Sequence, residues 1–173
     1  MTVLVRDSVQ VDTNIFTQSK NMVVNSVMET LIEITYQRKL DPASLLSVRK
    51  ILEDALYIWL HERTLKGLLL EISLPESANA LEDWELVFSY QDDPDTQVER
   101  APTEELKRFG QTLKSLPPGS DYRILVSLAP GAKMLDGWGI ATRKNINPTV
   151  EKHFDKFGYG ELAGELRYTG GTL

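Results

Sequence analysis

Cysteine is absent from the 173 residues, which excludes a disulfide scaffold, Cys-ligated zinc, iron–sulfur clusters and thiol catalysis. No apolar run approaches the roughly 20 residues that a membrane helix needs. The opening Met1-Thr2-Val3-Leu4-Val5-Arg6-Asp7 lacks the basic and long apolar regions of a signal peptide. A cytoplasmic location with no membrane contact is therefore expected. Lysine and arginine are missing from residues 67–99, where Glu71, Glu76, Glu82, Asp83, Glu85, Asp92, Asp93, Asp95 and Glu99 stand, so the rest of the chain is net positive although the whole carries −6. That balance excludes a general nucleic-acid binder, which needs clustered basic residues. Glycine is scarce until late: eight of the eleven fall in the last 43 residues, so the tail is built differently from the body.

What is present suits one folded domain. The 42% apolar and 25% charged composition is ordinary for a globular chain, and a chain of this size buries about 70% of its unfolded surface without cross-links. Residues 1–12 place Val3, Val5, Val9 and Val11 at alternate positions, which predicts an extended N-terminal arm. From 14 to 36, Phe16, Val23, Val24, Val27, Met28, Leu31, Ile32 and Ile34 recur at steps of three and four, the signature of a long helix with one buried face. Asp41-Pro42 starts a second helix, with Asp as cap and Pro at the first helical position. Leu45, Val48, Leu52, Ala55, Leu56 and Trp59 continue its stripe. After Gly67 the period becomes two: Leu68, Leu70, Ile72 and Leu74, then Trp84, Leu86, Phe88 and Tyr90, describe an antiparallel pair of strands with one wet face each. A third helix begins at Thr103 and a third strand holds Tyr122, Ile124, Val126 and Leu128. The sum is an α+β two-layer domain, a three-stranded antiparallel core sheet backed by three helices.

Residues 130–173 carry no sustained period, yet Met134, Leu135, Trp138, Ile140, Ile146, Val150, Phe154, Phe157, Leu162, Leu166 and Tyr168 supply far more apolar area than a disordered tail. Short strands are expected at 137–142 and 165–169, with a helical turn from Pro148.

Few residues point to chemistry. Asp92-Asp93-Pro94-Asp95 offers carboxylates but not the spacing of a calcium loop, and Gly158-Tyr159-Gly160 with Gly164 misses the dinucleotide fingerprint by one position. His153 with Asp155 has no nucleophile or oxyanion hole beside it. His61 suits the negative end of the second helix. No catalytic residue, metal or cofactor is expected. A small enzyme using the acidic loop or His153 is the weaker alternative. Trp138, between Gly137 and Gly139, reads either as packing or as an anchor on a segment that moves.

The order of elements resembles the HORMA domain. Leu68-Leu69-Leu70-Glu71-Ile72, Trp84-Glu85-Leu86-Val87-Phe88-Ser89-Tyr90, Tyr122-Arg123-Ile124-Leu125-Val126, Pro130-Gly131, Asp136-Gly137-Trp138, Leu162-Ala163-Gly164 and Arg167-Tyr168 look like the bacterial HORMA proteins of antiphage CBASS operons, over residues 16–168. The resemblance implies a core at 13–129 and a C-terminal safety belt at 130–173 that includes Asp136, Gly137, Trp138, Gly139 and Ile140. It implies that a closure-motif peptide adds as a strand along Tyr122, Arg123, Ile124, Leu125, Val126, Ser127 and Leu128. It also implies partners: a cGAS/DncV-like nucleotidyltransferase activated by the closed form, an AAA+ remodelling ATPase that engages the N-terminus at Thr2, Val3, Leu4 and Val5, and a second HORMA protein as one source of the peptide. A HORMA-type scaffold in another pathway is the other reading of the same likeness.

Overall fold

The computed structural model describes residues 2–90 and 101–171, with residues 2–19 and 159 by backbone alone. The chain runs α1 (Thr2–Gln37), α2 (Ala43–Ser47), α3 (Arg49–His61), β1 (Leu65–Ser73), β2 (Ala80–Tyr90), α4 (Thr103–Thr112), β3 (Asp121–Leu128), β4 (Val150–Tyr159) and β5 (Leu162–Gly170). The strands form one antiparallel sheet in the order β3-β1-β2-β5-β4. The three core strands read from sequence are its β1, β2 and β3. The tail supplies the other two.

The expected N-terminal arm is instead the first part of α1. Alternating valines describe a strand only if something ends it, and no glycine or proline occurs before Pro42, so helical geometry runs on unbroken. Further along α1, Val23, Val24, Val27, Met28, Leu31 and Ile34 are buried as the spacing requires. The second predicted helix is two: α2 and α3 meet at Val48, whose φ of −103° and ψ of 4° leave the helical region. His61 sits in the last turn of α3, as read from sequence.

Two tail expectations are corrected. Residues 137–142 form no strand, and the helical turn from Pro148 is replaced by β4. Phe154 and Phe157, three apart, carry a helical spacing, but a bulge between His153 and Lys156 inserts one extra residue in β4 and lets both rings face the core, where they are buried. The expected strand at 165–169 lies within β5. Gly158, part of the near-miss fingerprint, serves the hairpin: its φ is +152°, and a Cβ there would stand 2.2 Å from the Leu162 carbonyl oxygen, so no other residue fits.

Between sheet and helices lies an aromatic cluster. Trp84 meets Tyr168 edge-on at 4.6 Å, and Phe109 packs at 5.0 Å from Tyr168 and 5.6 Å from Phe154, geometries that add to area burial. Glu82, on the same face of β2 as Trp84, accepts from Arg38 Nε at 2.9 Å and Nη2 at 2.6 Å, and from the Trp84 indole at 3.1 Å.

Tyr90 closes the far end of β2, its hydroxyl donating to the Leu65 carbonyl at 2.8 Å, and burial pushes its pKa up to about 12. A tyrosine in the unfolded chain loses its proton near 10. The folded state therefore holds the proton longer, and stability falls as pH rises through the window from about 10 to about 12. Urea midpoints measured from pH 9 to 12 are expected to decline over that window, less steeply for Tyr90→Phe. An equal slope in the variant would remove Tyr90 as a cause. Tyr168 is pushed upward in the same direction by burial.

Candidate functional site

The sheet order leaves β3 paired on one side only, with β1. On an edge strand alternate residues turn their N–H and C=O groups away from the sheet, unpaired. In β3 the side chains of Tyr122, Ile124, Val126 and Leu128 pack on the core, and Arg123 turns to the opposite face. The free edge opens into a cavity of about 620 Å³. One wall is β3 itself, from Tyr122 to Val126 and at Leu128. A second is Ser44, Leu45, Val48, Ile51 and Leu52 of α2 and α3. The third is Met134, Gly137, Trp138, Gly139, Ile140 and Ala141 of the tail. Four of the eight large apolar side chains left exposed among the described residues, Val48, Ile51, Met134 and Ile140, line it. Arg123 is its one charged lining residue.

Local sequence explains how the third wall is held. Past β3 the Ala129 amide donates to the Thr64 carbonyl at 2.7 Å. The Trp59 indole, wholly buried in α3, donates to the Lys133 carbonyl at 3.0 Å. Trp138 packs edge-on against Trp59 at 5.0 Å. The Trp138 indole N–H is buried with no acceptor among the described residues, so the ring contact holds it rather than a hydrogen bond. Gly137, at φ +86°, turns the chain next to Ile51. The segment then travels back along β3 until the Thr142 carbonyl accepts from Arg123 Nη2 at 2.5 Å.

From there it crosses the sheet face opposite the helices. The Lys144 amide donates to Glu71 Oε2 at 2.7 Å, and Lys144 Nζ reaches Ser73 Oγ at 2.8 Å. Arg143 donates to Asp83 Oδ2 from Nε at 2.9 Å and from Nη2 at 2.7 Å, with Glu85 at 3.7 Å. Asn145 bridges to Asn79, its carbonyl accepting from the Ala80 amide at 2.7 Å. The Thr149 amide then joins Gly170 at 3.0 Å. This crossing corrects the expectation of a wet outer face on β1: Leu69, Glu71 and Ser73 are all buried. Burial raises the pKa of Asp83, opposed by the hydrogen bond and charge of Arg143 and reinforced by the like charges of Glu71 and Glu85.

The structure thus brings Tyr122, Arg123, Ile124, Leu125, Val126 and Leu128 around one cavity with Gly137, Trp138, Gly139 and Ile140. Ser127 and Asp136 are exposed and do not line it. Thr2, Val3, Leu4 and Val5 lie at the start of α1. The acidic loop at 92–95 lies outside the described residues. His153 Nδ1 is 2.7 Å from Glu165 Oε1 and mostly exposed, while the Asp155 amide lies 3.5 Å from Glu105. Arg167, before His153, holds the Glu165 carboxyl below its usual range. Among the described residues no group of three or more His, Cys, Asp or Glu is placed to hold a metal, and no helix is long and apolar enough to cross a membrane.

A family model described as bacterial HORMA domain 2 matches residues 8–165. The chain belongs to that family. As a HORMA domain it shares its fold with solved structures at low sequence identity. A chain of the mitotic checkpoint complex aligns at a TM-score of 0.76 and 13% identity, covering 91% of this chain and 97% of that one. C. elegans HTP-2 bound to the HIM-3 closure motif gives 0.72 and 14%, covering 91% and 92%. The CdnC:HORMA-deltaN complex of E. coli MS115-1 gives 0.63 and 9%, covering 91% and 90%. A comparison with curated protein sequences gives no match.

Sequence reasoning missed Glu71, Asp83, Arg143 and Lys144 as contacts of this HORMA domain. The signal was available: acids without a basic neighbour over residues 67–99 need cations from elsewhere, and Arg143-Lys144 is an adjacent basic pair within the glycine-rich tail.

Proposed function

We propose that this HORMA domain is a peptide-sensing adaptor rather than an enzyme. An extended peptide adds as a strand to the free edge of β3, and residues 130–173 act as the safety belt that retains it, residues 130–149 crossing the sheet and the β4–β5 hairpin anchoring them. The observation that carries the reading is the unpaired β3 edge inside an apolar cavity walled by the tail. Strand addition satisfies those backbone groups, and alternate side chains of the peptide meet the pockets. HTP-2 in complex with a closure motif supports this reading.

The closed form then binds and activates a cGAS/DncV-like nucleotidyltransferase in antiphage defence, supported by the likeness to the E. coli complex of CdnC with a HORMA protein. An AAA+ remodelling ATPase resets it in the cytoplasm by pulling on the N-terminus at Thr2, Val3, Leu4 and Val5. Because those residues are helical, the ATPase must unwind α1 as it pulls. A second HORMA protein is one source of the peptide.

The test is capture by the full chain of overlapping peptides from its operon and host proteome. A binding peptide is expected to slow protease cleavage within residues 129–149 at least tenfold, because the cleavable conformer is the opened belt. If cleavage proceeds equally fast with every peptide, the reading fails.

A further inference from the structure

The belt's crossing of the sheet face is built on an asymmetric charge pair. Glu71 on β1 and Asp83 on β2 are register partners, so two carboxylates stand directly opposite each other, an arrangement that is repulsive on an uncovered sheet. Their side chains are 0% and 1% exposed. Glu71 is fully provided for: one oxygen accepts from Arg123 of β3 and the other from the Lys144 amide. Asp83 is not. Its Oδ2 takes both hydrogen bonds of Arg143, while Oδ1 has no partner among the described residues. Arg143 itself is 44% exposed, with water and Glu85 within reach.

We propose that Arg143 is the positioning residue that locks the belt over the groove, because it is the cation that makes the burial of Asp83 tolerable. The proposal rests on the reading of residues 130–149 as the crossing part of a belt. With the belt off the sheet, Asp83 is hydrated and needs no partner. With the belt on, its charge depends on the two bonds from Arg143. A buried charge that loses its partner is strongly unfavourable, whereas a neutral amide of the same shape with unmade hydrogen bonds costs much less. The two halves of this pair therefore differ in consequence. Losing Arg143 strands a carboxylate beneath the belt. Losing the Asp83 charge leaves an arginine that turns to water.

The experiment is hydrogen exchange followed by mass spectrometry on the full chain, without peptide, for the wild type, Arg143→Met, Asp83→Asn and the double variant. Arg143→Met is expected to speed exchange of the amides in 129–149 by about tenfold or more, through local opening. Exchange in β1 and β2 should stay at the wild-type rate. Asp83→Asn alone is expected to change belt exchange by less than about threefold, and adding it to Arg143→Met to slow the belt at least about threefold relative to Arg143→Met, because a neutral amide with unmade bonds costs less than a stranded charge. Arg143→Lys, which keeps the charge but not the paired donors, should fall between wild type and Arg143→Met.

A belt in Arg143→Met that exchanges like wild type overturns the proposal. So does faster exchange shared by β1 and β2, or a double variant no slower than Arg143→Met. Since no peptide is present, a rescued belt in a chain that captures no peptide would leave the lock standing and sink the peptide reading alone. Peptide capture with an indifferent belt would do the reverse.

Discussion

Arg38→Met is expected to destabilise the domain by about 3–5 kcal/mol, because it leaves a buried carboxylate without its cation. Arg38 follows the last residue of α1 and is 6% exposed, and Glu82 is 5% exposed. The guanidinium gives two hydrogen bonds to Glu82 and a third, at 2.7 Å, to the Lys114 carbonyl beyond α4. One side chain thus ties α1, β2 and the segment after α4 together. Without it the Glu82 carboxylate keeps the Trp84 indole as a donor and the Tyr168 hydroxyl beside it, but loses its cation. For a chain of this length the loss corresponds to a melting temperature lower by roughly 10 °C. Combining Arg38→Met with Glu82→Leu removes the charge but leaves the Trp84 N–H and the Tyr168 hydroxyl without Glu82, so the double variant should be more stable than Arg38→Met by about 1–2 kcal/mol without reaching wild type. Urea unfolding of the three proteins decides. A double variant no more stable than Arg38→Met would show that packing, not the stranded charge, sets the loss.

Trp59→Ala is the second large effect, and it acts on the core and on residues 129–149 together. The indole is wholly buried in α3, and truncating a buried Trp costs about 3–5 kcal/mol. The same residue holds the Lys133 carbonyl and packs on Trp138, two attachments that keep residues 133–138 against α3. Residues 129–149 should therefore become protease-sensitive under conditions where the rest of the domain still resists. Trp59→Phe separates the roles. It keeps a ring beside Trp138 but leaves a small cavity and loses the donor to Lys133, so it should cost about 1–3 kcal/mol while still speeding cleavage in residues 129–149. If Trp59→Phe is cut at the wild-type rate, the hydrogen bond to Lys133 contributes nothing to holding residues 129–149.

The parts of this fold that could be read in advance are those whose hydrophobic period is local. α1 after residue 14, β1, β2 and β3 each declare themselves through side chains that share one face. The β1–β2 hairpin follows from Pro75 and its polar neighbours. The first dozen residues were misread because valines at odd positions fit a strand, whereas continuity with a breaker-free helix decided the outcome. β4 was missed because its bulge shifts the parity of Phe154 and Phe157, an irregularity that periodicity hides. The strand period of β3 was legible, and β3 and Trp138 line one cavity. The α2 and α3 wall and the acids of the crossing were not legible, since they meet the tail only through tertiary contacts between residues dozens of positions apart. Nor does a sequence period show which face of β1 is covered: Glu71 and Ser73 look like solvent-facing positions until Lys144 lies over them.

The central position of β2 has a bearing on how the domain is made. Its β1 side pairs as soon as a hairpin of residues 65–90 exists, but its other side waits for β5. During synthesis the middle of the sheet therefore spends the interval from residue 90 to residue 170 as an open edge, with Trp84, Leu86 and Phe88 uncovered by Tyr168 and Leu166. Open apolar edges recruit other strands, and chains held in such a state are prone to aggregate. Folding of this domain is thus tied to the arrival of its tail, so any variant that delays the β4–β5 hairpin should lower soluble yield before it lowers the stability of the finished protein.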